Sequence, residues 1–271
     1  MSRFRHFILI LLVVPVLCGA AAGAEPVRPP YPDVELPFPV GEKLTYSIFW
    51  GWIGVGEAVA TTEWVWMEGR WQLRIQTRTT SNKVLSALYP VDDLVETLMD
   101  PVTLRPLVFH MNLNQGDRHR HETTVFDWEN MEAHFVRKRK DREDELKSYE
   151  IRPDTRDIIS FMYFMRKTPF EENSTYEFEV MSDEKLYDLT VNTKETEKVH
   201  LDRYGKVQSL RMDPKAEFQG MVIKRGSMRL WVASEGRQVL TKIFIDTPFA
   251  NVRLLLKSAE GPGAEDWLTE E

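Results

Sequence analysis

Residues 41–67, GEKLTYSIFWGWIGVGEAVATTEWVWM, read as two long strands joined by a glycine-rich turn, and this reading decides the fold class. Side chains alternate across a strand, so Leu44, Tyr46, Ile48 and Trp50 share one face while Thr45, Ser47 and Phe49 take the other. Trp52, Ile53, Gly54 and Gly56 are expected in the turn, where glycine permits positive φ or close backbone approach. In the second strand Ala58, Ala60, Thr62, Trp64 and Trp66 fall on one side. A bulky aromatic face thus meets one that begins with small residues, a gradient that suits a curved sheet enclosing something large. Plain core packing is the alternative, because aromatic stripes mostly fill cores.

Strand patterns continue along the chain. In residues 70–80, Trp71, Leu73, Ile75 and Thr77 alternate with Gln72, Arg74, Gln76 and Arg78, the pattern of a strand buried on one face. Further strands are expected at 94–99, 106–113, 118–128, 133–139 and 149–152. A second series falls at 176–181, 186–192, 197–200, 207–212, 228–234, 238–245 and 251–256, with a less defined one at 218–224. Residues 81–88 read as a helical turn.

Residues 155–166 break the alternation. Ile158, Phe161, Met162 and Met165 form an i, i+3, i+4, i+7 stripe, Asp154 is the expected cap, and Pro169 follows the stop. The expected fold is therefore mainly β: a curved antiparallel sheet forming a barrel or half-barrel, with one apolar helix packed on its concave face. Tyr46, Ile48, Trp50, Trp71, Leu73 and Ile75 are expected to converge there with Met162 and Met165, whose flexible side chains suit a ligand-binding surface.

The N-terminus bears on location. Arg3 and Arg5 precede an apolar run over residues 7–17 and small residues through Ala24, the pattern of a secretory signal cleaved between Ala24 and Glu25. Cys18 raises an acylated-lipoprotein alternative, but Leu17 stands where such signals carry a small residue. The apolar run is shorter than the ~20 residues a membrane span needs, and no later stretch qualifies. Cleavage would delete the chain's only cysteine, leaving a periplasmic or secreted protein without disulfides. The formal net charge of −7 becomes more negative when Arg3 and Arg5 are lost, which argues against nucleic acid as a partner. Residues 25–39, with six prolines, read as an extended leader, residues 40–258 as a single β-rich domain and residues 259–271 as an acidic tail.

Chemistry is sparse. Asp117, His119 and His121 share a strand face and are a weak metal-ligand set, in a place where solvated polar residues are ordinary. The run RKRKDREDE at 137–145 nearly balances its own charge and reads as a solvated hairpin tip. No nucleophile-elbow serine, phosphate-binding glycine loop or zinc-protease helix is present, and no cofactor is implied. Carboxylates brought together by the fold stay open as a hydrolase reading.

Three segments carry a family resemblance. GEKLTYSIFWGWIGVGEA at the opening hairpin, DIISFMYFMR over residues 157–166, and the stretch from Gly226 through RLWVASEGRQVLTKIFI to Leu256 are similar to a bacterial exported family, domain of unknown function 3108. The resemblance spans most of the mature chain but supplies no catalytic residues, and RKRKDREDE departs from it. A curved sheet with a helix in its concavity also resembles the periplasmic lipoprotein carriers in architecture alone. The functional expectation is an exported, non-enzymatic envelope protein taking an apolar or amphiphilic, lipid-like ligand. A structural or interaction module meeting an envelope protein partner is the second reading, and a glycan-acting hydrolase the third.

Overall fold

The structure, a computed structural model, describes residues 34–140, 142–218, 221–222, 227–246 and 251–262. The expected signal and cleavage site, the first part of the expected leader and the expected acidic tail past residue 262 lie outside them.

Alternating sequence becomes strand almost throughout. The first series is β1 (Lys43–Trp50), β2 (Ile53–Met67), β3 (Arg70–Ser81), β4 (Asp92–Met99), β5 (Pro106–Gln115), β6 (Arg118–Asp127), β7 (Glu132–Lys138) and β8 (Glu145–Glu150). A short helix, α1 (Lys83–Ser86), joins β3 to β4. Next come β9 (Arg156–Asp157), helix α2 (Ile158–Met165), β10 (Thr175–Ser182), β11 (Lys185–Leu201) and β12 (Gly205–Phe218). The chain continues as β13 (Met221–Val222), β14 (Ser227–Ala233), β15 (Leu240–Asp246) and β16 (Val252–Glu260).

These strands form one sheet, in the order β8-β7-β6-β5-β4-β3-β2-β1-β16-β15-β14-β12-β11-β10-β9, with β13 paired to β12. The first and last long strands are neighbours, so two meanders fan out as wings from the β1–β16 seam. All pairs are antiparallel except β9 with β10. The sheet curls without closing: no backbone ladder joins β8 to β9. Charged side chains span the gap instead. Arg120 reaches Asp183 at 2.6 Å, Arg137 reaches Glu184 at 3.2 Å and Lys147 reaches Glu184 at 2.9 Å, linking β6–β8 to the β10–β11 turn. Buried Glu122 accepts from Arg120 and from Arg137, the latter at 2.5 Å. The tip expected to be wholly solvated therefore turns Arg137 inward, because a carboxylate in the wall demands a partner there.

Several expectations are corrected. The first turn is tighter than the glycine pattern implied: it holds Gly51 and Trp52, and Ile53, Gly54 and Gly56 are strand residues. Gly51 needs its φ of +59°, whereas Gly56 is required because a Cβ there would stand 2.2 Å from the Thr80 carbonyl oxygen. The strand expected at 149–152 is β8, which ends at Glu150, and the two expected at 186–192 and 197–200 are one strand, β11, with a register shift between Thr193 and Thr196. The helical turn expected at 81–88 is α1, and α2 is shorter than residues 155–166. Its cap is Asp157, not Asp154: the Asp157 carboxylate accepts from the backbone N–H groups of Ile159 and Ser160 at 2.8 and 2.9 Å. The leader is not peripheral at its end, since Phe38 is buried in the core with Leu36 packed beside it. β16 runs into the segment read as tail.

Helix α2 lies between the wings. Ile159 and Tyr163 join a core with Leu73 and Ile75 of β3, Met99 of β4 and Phe135 of β7. Phe161 and Met165, on its other side, pack with Val191 of β11, Met212 of β12 and Leu230 of β14. An all-round apolar helix is thus explained by burial from both sides. A third cluster forms where β11, past its register shift, touches β15 and β16: Val199 and Leu201 meet Trp231, Val239 and Leu256. Among the described residues no helix is long and apolar enough to cross a membrane.

Candidate functional site

The register lays the inner face out in rows. Leu44 pairs with Ala60, which pairs with Thr77, while Tyr46 pairs with Ala58, which pairs with Thr79. On the other side of the seam Ile243 pairs with Leu254, and Val232 with Leu240. Because Ala58 and Ala60 are short, the sheet here does not reach α2. A cavity of about 200 Å³ remains, bounded by these rows and by Ile159, Met162, Tyr163 and Met165 of the helix. Its wall is almost all carbon. The polar residues in it are Tyr46, Thr77, Thr79, Tyr163, Arg166 and Gln238.

Arg166 stands just past the helix and is 5% exposed, as is its partner Glu42. The pair is bidentate: the Arg166 Nη atoms donate to the Glu42 carboxylate at 2.5 and 2.9 Å. Nε donates to the Arg237 carbonyl at 3.1 Å. Against the downward pull of burial, the hydrogen bonds and charge of Glu42 hold the guanidinium above its ordinary range. The guanidinium carbon lies 5.6 Å from the ring centroids of both Phe38 and Tyr163. Glu42 is positioned by its own backbone, whose N–H donates to Thr62 Oγ1 at 3.1 Å and whose carbonyl accepts from the Thr62 N–H. Burial pushes both phenols up, Tyr46 further through Tyr163 and Tyr163 further through Glu42, so each stays a neutral O–H donor. The Tyr163 ring meets Phe38 edge-on with centroids 4.8 Å apart. Its buried hydroxyl has no hydrogen-bond partner among the described residues.

Of the eight residues expected to converge, the structure brings three to the cavity: Tyr46, Met162 and Met165. Ile48 packs against the neighbouring cluster, and Trp50 is exposed at the strand end, beyond the register shift between Ile48 and Phe49. Trp71 stands edge-on to Trp66 at 5.4 Å, at the opposite end of the sheet. Leu73 and Ile75 do face inward, but side chains from β4–β7 fill that half of the concavity; Thr77 and Thr79, further along the same face, line the void instead. The weak metal set does not assemble. Asp117 lies in a turn, His119 Nδ1 is 2.9 Å from Asn114 Oδ1, and no group of three potential ligands converges among the described residues. Sequence reasoning missed Tyr163 and the Arg166–Glu42 pair. The available signal was an arginine ending a helix that is apolar but for Ser160 and Tyr163, with no acid at helical spacing to match it.

A model of the family described as protein of unknown function (DUF3108) matches residues 45–257. Among solved structures, a crystal structure of a β-barrel-like protein of domain of unknown function DUF1849 from Brucella abortus is similar in fold, with a TM-score of 0.52. It is 11% identical, and the match covers 82% of this chain and 97% of that one. No curated protein matches.

Proposed function

The chain belongs to the DUF3108 family, and since that family has no described activity we propose a role from the site itself: an exported, non-enzymatic envelope protein that holds an apolar or amphiphilic ligand between α2 and the sheet. The cavity is the observation that carries this reading. At about 200 Å³ it exceeds the ~150 Å³ of an apolar cavity that stays dry and admits benzene. It corresponds to about seven water-sized groups at ~30 Å³ each, enough for a short or partly inserted chain. The signal-like pattern of residues 1–24 supports export. The cavity lining includes no Asp, Glu, His, Ser or Cys among the described residues, which supports binding over hydrolysis.

The test is saturable binding of a neutral apolar fluorophore, N-phenyl-1-naphthylamine. Ala58→Leu puts three extra carbons into the void and should weaken binding at least tenfold with the urea midpoint nearly unchanged. Equal binding by the variant would refute the site.

An interaction module is favoured by one other feature. Trp52 is 91% exposed at the β1–β2 turn, and Trp50, Ile53, Val84 and Leu88 are exposed around it. Asn82 Nδ2 donates to the Gly54 carbonyl at 2.6 Å, tying the α1 segment to that turn. On the carrier reading, Trp52→Ser with Leu88→Ser leaves fluorophore binding intact.

A further inference from the structure

The sheet carries a second pattern, on the face turned away from the cavity. Ile243 of β15 and Leu254 of β16 line the void, so their neighbours Lys242, Phe244 and Arg253 point outward. The register draws one row across four strands: Arg229 of β14 pairs with Phe244, Phe244 with Arg253, and Arg253 with Phe49 of β1. Cation and ring alternate along it and lie against one another. The Arg229 guanidinium carbon is 4.4 Å from the Phe244 ring centroid, and that of Arg253 is 5.3 Å from the centroids of both Phe49 and Trp52. In the next row Lys242 Nζ stands 4.0 Å from the Trp231 centroid. These charges are unpaired: among the described residues Arg229, Lys242 and Arg253 form no ion pair, and the Glu197 and Asp213 carboxylates pair with Arg211. Burial first, and then repulsion from Arg229, Arg253 and Arg211 against the pull of Glu197, lowers the pKa of the Lys242 ammonium.

The row ends at the β1–β2 turn, where apolar side chains project into solvent. Trp52 is 91% exposed there, and Val84 and Leu88 on the adjoining α1 segment are 78% and 85% exposed, with Lys83 exposed beside them. The tip is held in shape: Arg253 Nη2 donates to the Gly51 carbonyl at 2.8 Å, and the Asn82 backbone N–H donates to the Val55 carbonyl at 2.8 Å. A soluble polyanion would engage the cations and leave the apolar tip bare. An apolar groove on a protein would cover the tip and leave the cations unanswered. A bilayer with anionic lipids engages both, since apolar tips enter the acyl boundary, aromatic rings settle at headgroup depth and cations reach phosphates. Charge also sets the orientation. With a formal net charge of −7 the chain as a whole is repelled by an anionic surface, and this face is the one such a surface attracts. We infer that the outer face of β14, β15, β16 and β1, together with the β1–β2 turn and α1, docks the protein on an anionic phospholipid surface. Trp52 and Leu88 enter the headgroup boundary, and Arg229, Lys242 and Arg253 meet lipid phosphates. This docking stands apart from the cavity reading and does not depend on it.

The experiment is a titration of the full chain with vesicles of phosphatidylglycerol and phosphatidylcholine whose acyl chains carry bromine, read as quenching of tryptophan fluorescence. No tryptophan precedes Trp50, so the readout is blind to the apolar run of residues 7–17. Quenching should saturate with the mixed vesicles, stay absent with phosphatidylcholine alone, and disappear in Trp50→Phe/Trp52→Phe. Arg229→Gln/Lys242→Gln/Arg253→Gln should raise the lipid concentration for half-maximal quenching at least about tenfold, as a cation near an anionic surface contributes about fivefold. Val84→Ser/Leu88→Ser, which changes only exposed apolar groups, should raise it about tenfold. Circular dichroism and the urea midpoint confirm that each variant is folded. Equal quenching by phosphatidylcholine, no quenching of the folded parent, or unchanged titrations in both the charge and the apolar variants overturn the inference. Retention on heparin that is equal in parent and Val84→Ser/Leu88→Ser, with no quenching by vesicles, overturns it in favour of a soluble polyanion. Binding of N-phenyl-1-naphthylamine without vesicles is measured in the same variants: if it persists while quenching fails, the docking inference falls and the cavity reading stands.

Discussion

The buried pair of Glu42 and Arg166 gives the sharpest test of how this fold is held together. Residues 124 positions apart meet with N···O distances of 2.5 and 2.9 Å, each side chain 5% exposed. Two unit charges about 4 Å apart attract by roughly 4 kcal/mol at an effective dielectric constant of ~20, and the cost of desolvating both is of similar size. The intact pair therefore adds little net stability, but half a pair is expensive. Glu42→Leu strands a buried guanidinium, and Arg166→Met strands a buried carboxylate. Each should cost about 3–5 kcal/mol. With a urea m-value of roughly 3 kcal/mol/M for a domain of this size, the midpoint drops by about 1–1.7 M. The double variant Glu42→Leu/Arg166→Met replaces both charges with carbon and should recover to within about 1 kcal/mol of the parent. Urea unfolding followed by tryptophan fluorescence measures all four corners of the cycle. Single losses below 1 kcal/mol, or a double loss equal to the sum of the singles, would refute the assignment of a dehydrated, coupled pair.

Two further perturbations probe α2. Phe161 is buried and meets Phe178 edge-on with centroids 5.0 Å apart, so Phe161→Ala should cost about 3–5 kcal/mol, and a loss below 1 kcal/mol would place that face outside the core. Asp157 caps the helix from a fully buried position, where burial raises its carboxyl above the ordinary value despite hydrogen bonds from Ser160, Thr97 and Ile159. A raised folded-state value means that the carboxyl's contribution is fully present below the unfolded value of ~3.9 and is lost as pH rises through the folded value. Asp157→Asn, which still caps, should therefore gain stability relative to the parent as pH rises from about 4 to 7. Paired urea midpoints check this, and a pH-independent difference would contradict it.

How much of this was legible beforehand follows from the range of each signal. Alternation is local, so Trp71, Leu73, Ile75 and Thr77 announce a one-face-buried strand without help from the rest of the chain. The apolar stripe around Phe161 likewise announces a buried helix. Helix boundaries were less legible, because Asp154 and Asp157 are equally good caps in sequence, and pairing of Arg156 and Asp157 with β10 decides between them. Gly56 shows the same ambiguity: a glycine beside a turn can shape the turn or admit a neighbouring backbone, and the Thr80 carbonyl settles which.

Alternation and one apolar stripe were enough to read a curved antiparallel β fold around an apolar helix, but of the eight residues read as converging inside it only Tyr46, Met162 and Met165 reach the cavity. Where that inside is full and where it is empty depends on tertiary packing. Leu73 and Thr77 share a face of one strand, yet the first is enclosed by side chains from β4–β7 and the second borders the void. A cavity is defined by what fails to arrive from distant strands, and strand order and register set that. The buried charge pair is non-local for the same reason. Glu42, Tyr46, Tyr163 and Arg166 are ordinary residues in two separate segments until the β1–β16 seam and the helix bring them together and exclude water from the charge pair.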